Sequence, residues 1–208
     1  MHQPNFPRRQ SGFTLIEIAI VLVIIGLLLG GILKGQELIT QGRIRNVSND
    51  LQSMTAAINL YQGRYLALPG DDAGAAARWG IAAPTGGTLG DGIIAGTYNS
   101  TTATDESRQF WLHLRRAGLV GGAVNTNNPP NAVGGITGVQ NGAFGLPGIV
   151  VCTNNLPAVI AQSIDTQFDD GASATGNVRG ATGAAAGDEP AVNYVDDGEN
   201  FYVVCMRP

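Results

Sequence analysis

The sequence predicts an α+β protein. A long N-terminal α-helix, protruding and membrane-spanning in its first half, is packed in its second half on a small antiparallel β-sheet head. Three observations carry this. Phe13 to Leu33 is a run of 21 residues that are apolar or nearly so, interrupted by a single acid, Glu17. From Ile44 onward the apolar residues step by three and four, the period of one helix face. After Tyr65 the chain breaks into Pro/Gly turns, short apolar runs and one pair of cysteines.

The composition narrows the class. In 208 residues only 13% are charged, 30 are glycine, and 12 bases stand against 16 acids for a net charge of −4. A general nucleic-acid binder is usually basic, so the balance argues against one. Low charge with abundant Gly, Ala, Asn and Thr suits a protein outside the cytoplasm that packs against copies of itself. Cys152 and Cys205 have no CxxC spacing and no neighbouring histidine. That disfavours zinc and favours one disulfide formed in an oxidising compartment. Beyond the leader the chain has one histidine, His113, and no G-x-S-x-G, HExxH or P-loop pattern, so an enzyme is not expected and no cofactor is implied.

The first element is the apolar run. As a helix, 21 residues rise about 30 Å, the thickness of a bilayer core. A secretory signal has a shorter apolar core with a small-residue cleavage site after it. Here the order is reversed: the polar leader, with Arg8 and Arg9, ends in Gly12 before the apolar run begins. Positive-inside reasoning puts Arg8 and Arg9 in the cytoplasm, although Lys34, Arg43 and Arg45 on the far side are basic too. Glu17 needs its own explanation, because an ionised carboxylate costs several kcal/mol or more to place in hydrocarbon.

Gly12-Phe13-Thr14-Leu15-Ile16-Glu17 resembles the processing site of type IV prepilins and of the pseudopilins of type II secretion. The resemblance implies cleavage between Gly12 and Phe13 by a membrane prepilin peptidase, which also methylates the new Phe13 amine. It divides the chain into a leader (1–12), a transmembrane and filament-core helix (13–34), an amphipathic continuation (35–65) and a globular head (66–208). The cut creates an ammonium on Phe13, and pairing it with Glu17 recovers much of the burial penalty of both charges. Glu17 is four residues from its own Phe13 and can reach that amine. In a filament it can instead meet the amine of the adjacent subunit and set the register between helices, which is the reading the family favours.

The implied function is that of a structural subunit of a type IV pilus or pilus-like filament. The alternatives are a minor or tip pilin with a binding role (adhesion or DNA uptake) and a pseudopilin of type II secretion. Implied partners are copies of itself or other pilins, the prepilin peptidase/methyltransferase, the inner membrane and its assembly platform; no nucleic acid is required. The implied location is the bacterial inner membrane with the head in the periplasm, then an extracellular pilus or periplasmic pseudopilus.

The helix continues past the bilayer. Ile44, Val47, Leu51, Met54, Ile58, Tyr61 and Tyr65 draw one stripe, with polar residues between them. A coiled coil has this spacing too, but so short a stripe ending in two tyrosines fits packing on a sheet of the same chain. Gly26, Gly30, Gly31 and Gly35 interrupt the bare half, each at about 1 kcal/mol of helix propensity relative to Ala. Local unwinding at Gly30-Gly31 and close helix packing through G-x-x-x-G are both open readings.

In the head, Leu66 to Asp72 is a helix stop and restart leading into Ala73–Trp79, and its Leu-Pro-Gly-Asp run is similar to a segment after the long helix in many pilin-like proteins. Thr104-Asp105-Glu106-Ser107 opens a second helix that ends with Arg115, Arg116 and Gly118, with Phe110, Trp111 and Leu114 toward the core. Residues 146–152 read as a buried strand, 156–168 as a short helix and 201–206 as a final strand, while 120–143 and 171–193 read as surface loops. A Cys152–Cys205 bond closes 52 intervening residues, worth about 4 kcal/mol in the chain-entropy model. The bracketed region looks like the disulfide-bounded C-terminal region of type IV pilins. Two acid clusters, Asp165 with Asp169 and Asp170, and Asp196 with Asp197 and Glu199, have oxygen ligands that suit calcium, which some pseudopilins carry in this region. Neither has EF-hand spacing, and Asp-Asp-Gly is a turn former, so no metal is expected.

Overall fold

The computed structural model describes residues 12–183, 185–187 and 193–208. The expected leader, with Arg8 and Arg9, lies outside the described residues except for Gly12. The chain divides into a unit ending at Gln41 and a second unit from Gly42 to Pro208.

Helix α1, Leu15–Tyr65, is 51 residues long and contributes to both units. In the first unit, residues 15–34 are exposed on every face. In the second, Val47, Leu51, Met54, Ala57, Ile58 and Tyr61 are buried, and Ile44 and Tyr65 pack at the edge of the same core. Every residue of the expected stripe therefore faces the interior, and the partner is the chain's own sheet. The buried hydroxyl of Ser48 on this face donates to Gln167 Oε1 at 2.7 Å.

After α1 come α2 (Ala75–Trp79), α3 (Glu106–Arg116), β1 (Thr137–Ala143), β2 (Leu146–Pro157), α4 (Ala158–Phe168), β3 (Val178–Thr182) and β4 (Phe201–Met206). The four strands form one antiparallel sheet in the order β1-β2-β4-β3. Alternation along the central strands makes two faces. Val151, Leu156, Tyr202 and Val204 join the core built with α1, α3 and α4, in which Phe110, Trp111 and Leu114 are fully buried. Val150, Cys152, Val203 and Cys205 face the other way, toward Tyr98, Phe144 and Leu146. Cys152 and Cys205 are register partners on β2 and β4 and are joined by a disulfide. The bond ties the last strand into the middle of the sheet.

Three boundaries differ from the sequence reading. The segments 120–143 and 171–193 are not loops throughout, because they contain β1 and β3. Strand β1 has little apolar content to announce it; its Gln140 instead accepts the Tyr98 N–H at 3.0 Å and donates to Ala186 O at 3.0 Å. Strand β2 also runs five residues beyond Cys152, so α4 begins at Ala158 rather than at Leu156. Leu156 and Pro157 pair with Tyr202 and Phe201, and the register shift between Thr153 and Leu156 is absorbed where Asn155 takes φ 61°.

Leu66, just after α1, adopts φ 56° and is 93% exposed. Leucine in the left-handed region is strained, and glycine is the usual residue at this place after a helix. Leu66→Gly is expected to stabilise the head by about 0.5–1 kcal/mol, relief of that strain less the added freedom of the unfolded chain. A raised thermal midpoint checks this; a lowered one contradicts it.

Candidate functional site

The expected processing and assembly residues lie together at the start of α1. Gly12 and Phe13 precede the helix, and Phe13 is 85% exposed. Thr14 holds the N-cap position. Its backbone N–H and its hydroxyl both donate to Glu17 Oε2 at 2.8 Å, and the Glu17 N–H donates back to Thr14 Oγ1 at 3.3 Å. This is a reciprocal capping box, which satisfies amide donors that a helix start otherwise leaves open. Glu17 Oε1 has no partner among the described residues. Sequence reasoning missed the part played by Thr14, although Thr-x-x-Glu before an apolar run is its signal.

An eighteen-residue window of α1 reaches a mean hydropathy of 2.9, and none of it is buried within the chain. The helix is long and apolar enough to cross a membrane. A Cβ added at Gly26, Gly30, Gly31 or Gly35 would touch nothing within 4 Å, so no contact among the described residues requires those glycines. Just beyond the apolar run, Lys34 pairs with Glu37 at 2.7 Å on the exposed surface, a contact worth little by itself.

The other end of α1 is fastened by the segment after it. Asp72 Oδ2 accepts the Tyr61 hydroxyl and the Arg78 guanidinium, both at 2.7 Å, and Oδ1 accepts the Gly74 N–H at 2.8 Å. Burial alone would raise the Asp72 pKa, but the donors from Arg78, Tyr61 and Gly74 outweigh it and hold it low. Burial, with the bond to Asp72, pushes Tyr61 up. The Asp71 carboxylate accepts N–H groups from Gly90 and Gly92 and so pins the loop that crosses it. Gly70 donates its N–H to His113 Nδ1 at 2.9 Å, and burial depresses the His113 pKa to about 4. Gly70 sits at φ 92° with its Cα against the α3 backbone at Glu106 and Phe110, where no side chain fits. His113 also stacks on Tyr61, with ring centroids 6.3 Å apart. A neutral histidine so placed joins α1 to α3; its role is packing.

The acid cluster Asp165, Asp169 and Asp170 does come together, with ligand oxygens within 4.8 Å of one another. Each carboxylate is engaged by its own loop. Buried Asp165 accepts Gly171 N–H at 2.9 Å and Tyr194 Oη–H at 2.8 Å; Asp169 accepts the N–H groups of Asn177 and Val178; Asp170 accepts Ala172 N–H and the Thr175 hydroxyl. These bonds shape the turn that delivers the chain into β3. Burial raises the Asp165 pKa, against the bonds from Tyr194 and Gly171. In the second cluster, Asp197 accepts N–H groups from Glu199 and Asn200 in an exposed turn.

A family model, the prokaryotic N-terminal methylation motif, matches residues 7–33. This is the signature of type IV pilins and pseudopilins. No curated protein and no solved structure matches the chain. The motif and the pilin-like α+β architecture support a type IV pilin-like or pseudopilin protein. The apolar helix and the motif are consistent with membrane anchoring before assembly.

Glu106, at the start of α3, supplies a pH test of the head. Its side chain is fully buried, Oε2 accepts Ala95 N–H at 2.8 Å, and Oε1 has no partner among the described residues. Burial raises its pKa above the ordinary 4.5; the Ala95 bond opposes this, and Asp71, Asp91 and Asp105 add to the rise. A raised folded pKa contributes stability that is complete below the unfolded value and lost as pH rises through the folded one. Glu106→Gln is therefore expected to gain on the native protein as pH climbs from about 4 to neutrality. Denaturant titrations across that range check it, and a difference that stays flat with pH contradicts it.

Proposed function

We propose that this chain is a structural subunit of a type IV pilus or pilus-like filament. In this reading the precursor is cut between Gly12 and Phe13 and N-methylated on Phe13 by the prepilin peptidase/methyltransferase. Helix α1 then holds it in the inner membrane with its head in the periplasm until the assembly platform extracts it into a helical polymer. The observation that carries the reading is the first half of α1: apolar, exposed on every face, and carrying one carboxylate at its start. Bilayer lipid covers such a surface before assembly, and the same helices of other copies cover it afterwards.

Glu17 gives the assembly its register. The cut turns the Phe13 nitrogen into an ammonium, and Glu17 Oε1 is the acceptor left open on each helix. A neighbour's ammonium on Glu17 satisfies both charges in a medium where neither can stand alone.

Two outcomes test this. Intact-mass analysis of membrane-extracted protein should show loss of Met1 to Gly12 and gain of one methyl group; finding Arg8 in the mature chain overturns the processing step. Glu17→Val should insert in the membrane and form its disulfide normally, because the change lies within the apolar run and removes a charge from it. Each subunit of a filament would then hold an unpaired buried ammonium at about 3–5 kcal/mol, so filaments should be lost while monomer accumulates. Glu17→Gln should be intermediate. Filaments of normal number and length from Glu17→Val contradict the register role.

A further inference from the structure

We propose that Asn141–Gly142 is a modification site in the folded head, where Asn141 deamidates through a cyclic imide formed with the Gly142 nitrogen. Asn-Gly occurs once in the sequence, and here it lies beside the turn that joins β1 to β2. Glycine matters because the attacking nitrogen then has no side chain beside it.

The local geometry leaves the pair open. The Asn141 side chain is exposed and makes no hydrogen bond among the described residues. The ladder breaks immediately after it: Asn141 pairs with Ile149 and Ala143 with Leu146, so Gly142 faces the two residues Pro147 and Gly148. Proline has no N–H to offer across the ladder. The Gly142 carbonyl instead accepts the Gln140 side-chain amide at 2.6 Å. Gly142 sits at φ 73°, and a Cβ built there would meet nothing closer than Leu146 O at 3.5 Å. Strand pairing protects an asparagine by holding its peptide extended; at this bulge that restraint lapses on one side of the residue.

The chemistry needs only water. The deprotonated Gly142 nitrogen attacks Asn141 Cγ, the Cγ–Nδ2 bond breaks, and ammonia leaves. The resulting five-membered imide adds water at either carbonyl. Breaking the bond from nitrogen to Cγ gives aspartate; breaking the bond to the main-chain carbonyl gives isoaspartate, whose backbone is one carbon longer. Either product adds a negative charge at the end of β1, and the isoaspartate cannot keep the Asn141–Ile149 register. Strand β2 stays tied to β4 through Cys152–Cys205, so the change is confined to the β1–β2 hairpin. An exported head would accumulate this mark with age.

The test is incubation of the full-length protein in detergent at mildly alkaline and mildly acidic pH, followed by reduced peptide mapping and enzymatic labelling of isoaspartate. The expected result is base-accelerated conversion at residue 141 ahead of every other asparagine, within an order of magnitude of the rate in urea. Asn141→Gln should remove the signal while leaving the circular dichroism and the disulfide unchanged. Conversion in urea but not in the folded protein, or another asparagine converting first, overturns the proposal.

Discussion

An α-helix satisfies its own backbone hydrogen bonds, and the arrangement of the head around α1 relies on that. It is what would let one continuous segment, α1, lie bare in hydrocarbon at one end, as the proposed function requires, while its other end is built into a protein core. Side chains divide the work. Over residues 18–33 they are apolar all round and unburied; from Val47 to Tyr61 they are apolar on one face only. The sheet, α3 and α4 assemble on that face, and the segment from Gly70 to Arg78 fastens its end through Tyr61, Asp72 and His113. The disulfide then closes β4 onto β2, on the side of the sheet away from α1.

In the proposed assembly, Glu17 is the group that needs a partner. In the single chain its carboxylate is held by Thr14 in a capping box. A cap is worth about 1 kcal/mol, whereas a charge left unpaired in an apolar interior costs about 3–5 kcal/mol. Capping therefore places the carboxylate without neutralising it. The cost of the unpaired charge outweighs the cap and favours an ionised partner, and a neighbour's amino terminus is the one that filament formation would bring.

Much of this was legible beforehand because it rests on periodicity and chemistry that a sequence displays openly. The stripe from Ile44 to Tyr65, the boundaries of β4 and the cysteine pair all appear in the structure where the residues placed them. Strands β1 and β3 were hidden for a physical reason. Thr137–Ala143 has Val139 as its one large apolar residue, and it becomes a strand through its partner β2 and the contacts of Gln140. Val178–Thr182 is aimed by Asp169, which grips the N–H groups of Asn177 and Val178. Such hydrogen bonds leave no periodic trace. The Thr14 cap did leave one, but the processing motif accounts for the same residues and masks it.

What Glu17 binds once subunits meet decides whether it sets the register. Cryo-microscopy of sheared filaments, at a resolution that shows side chains, measures this directly. It should show this chain as the repeating unit, beginning at Phe13, with the Phe13 nitrogen of one copy at ion-pair distance from Glu17 of the next. Glu17 still capped by its own Thr14, with no neighbouring nitrogen beside it, would contradict that role.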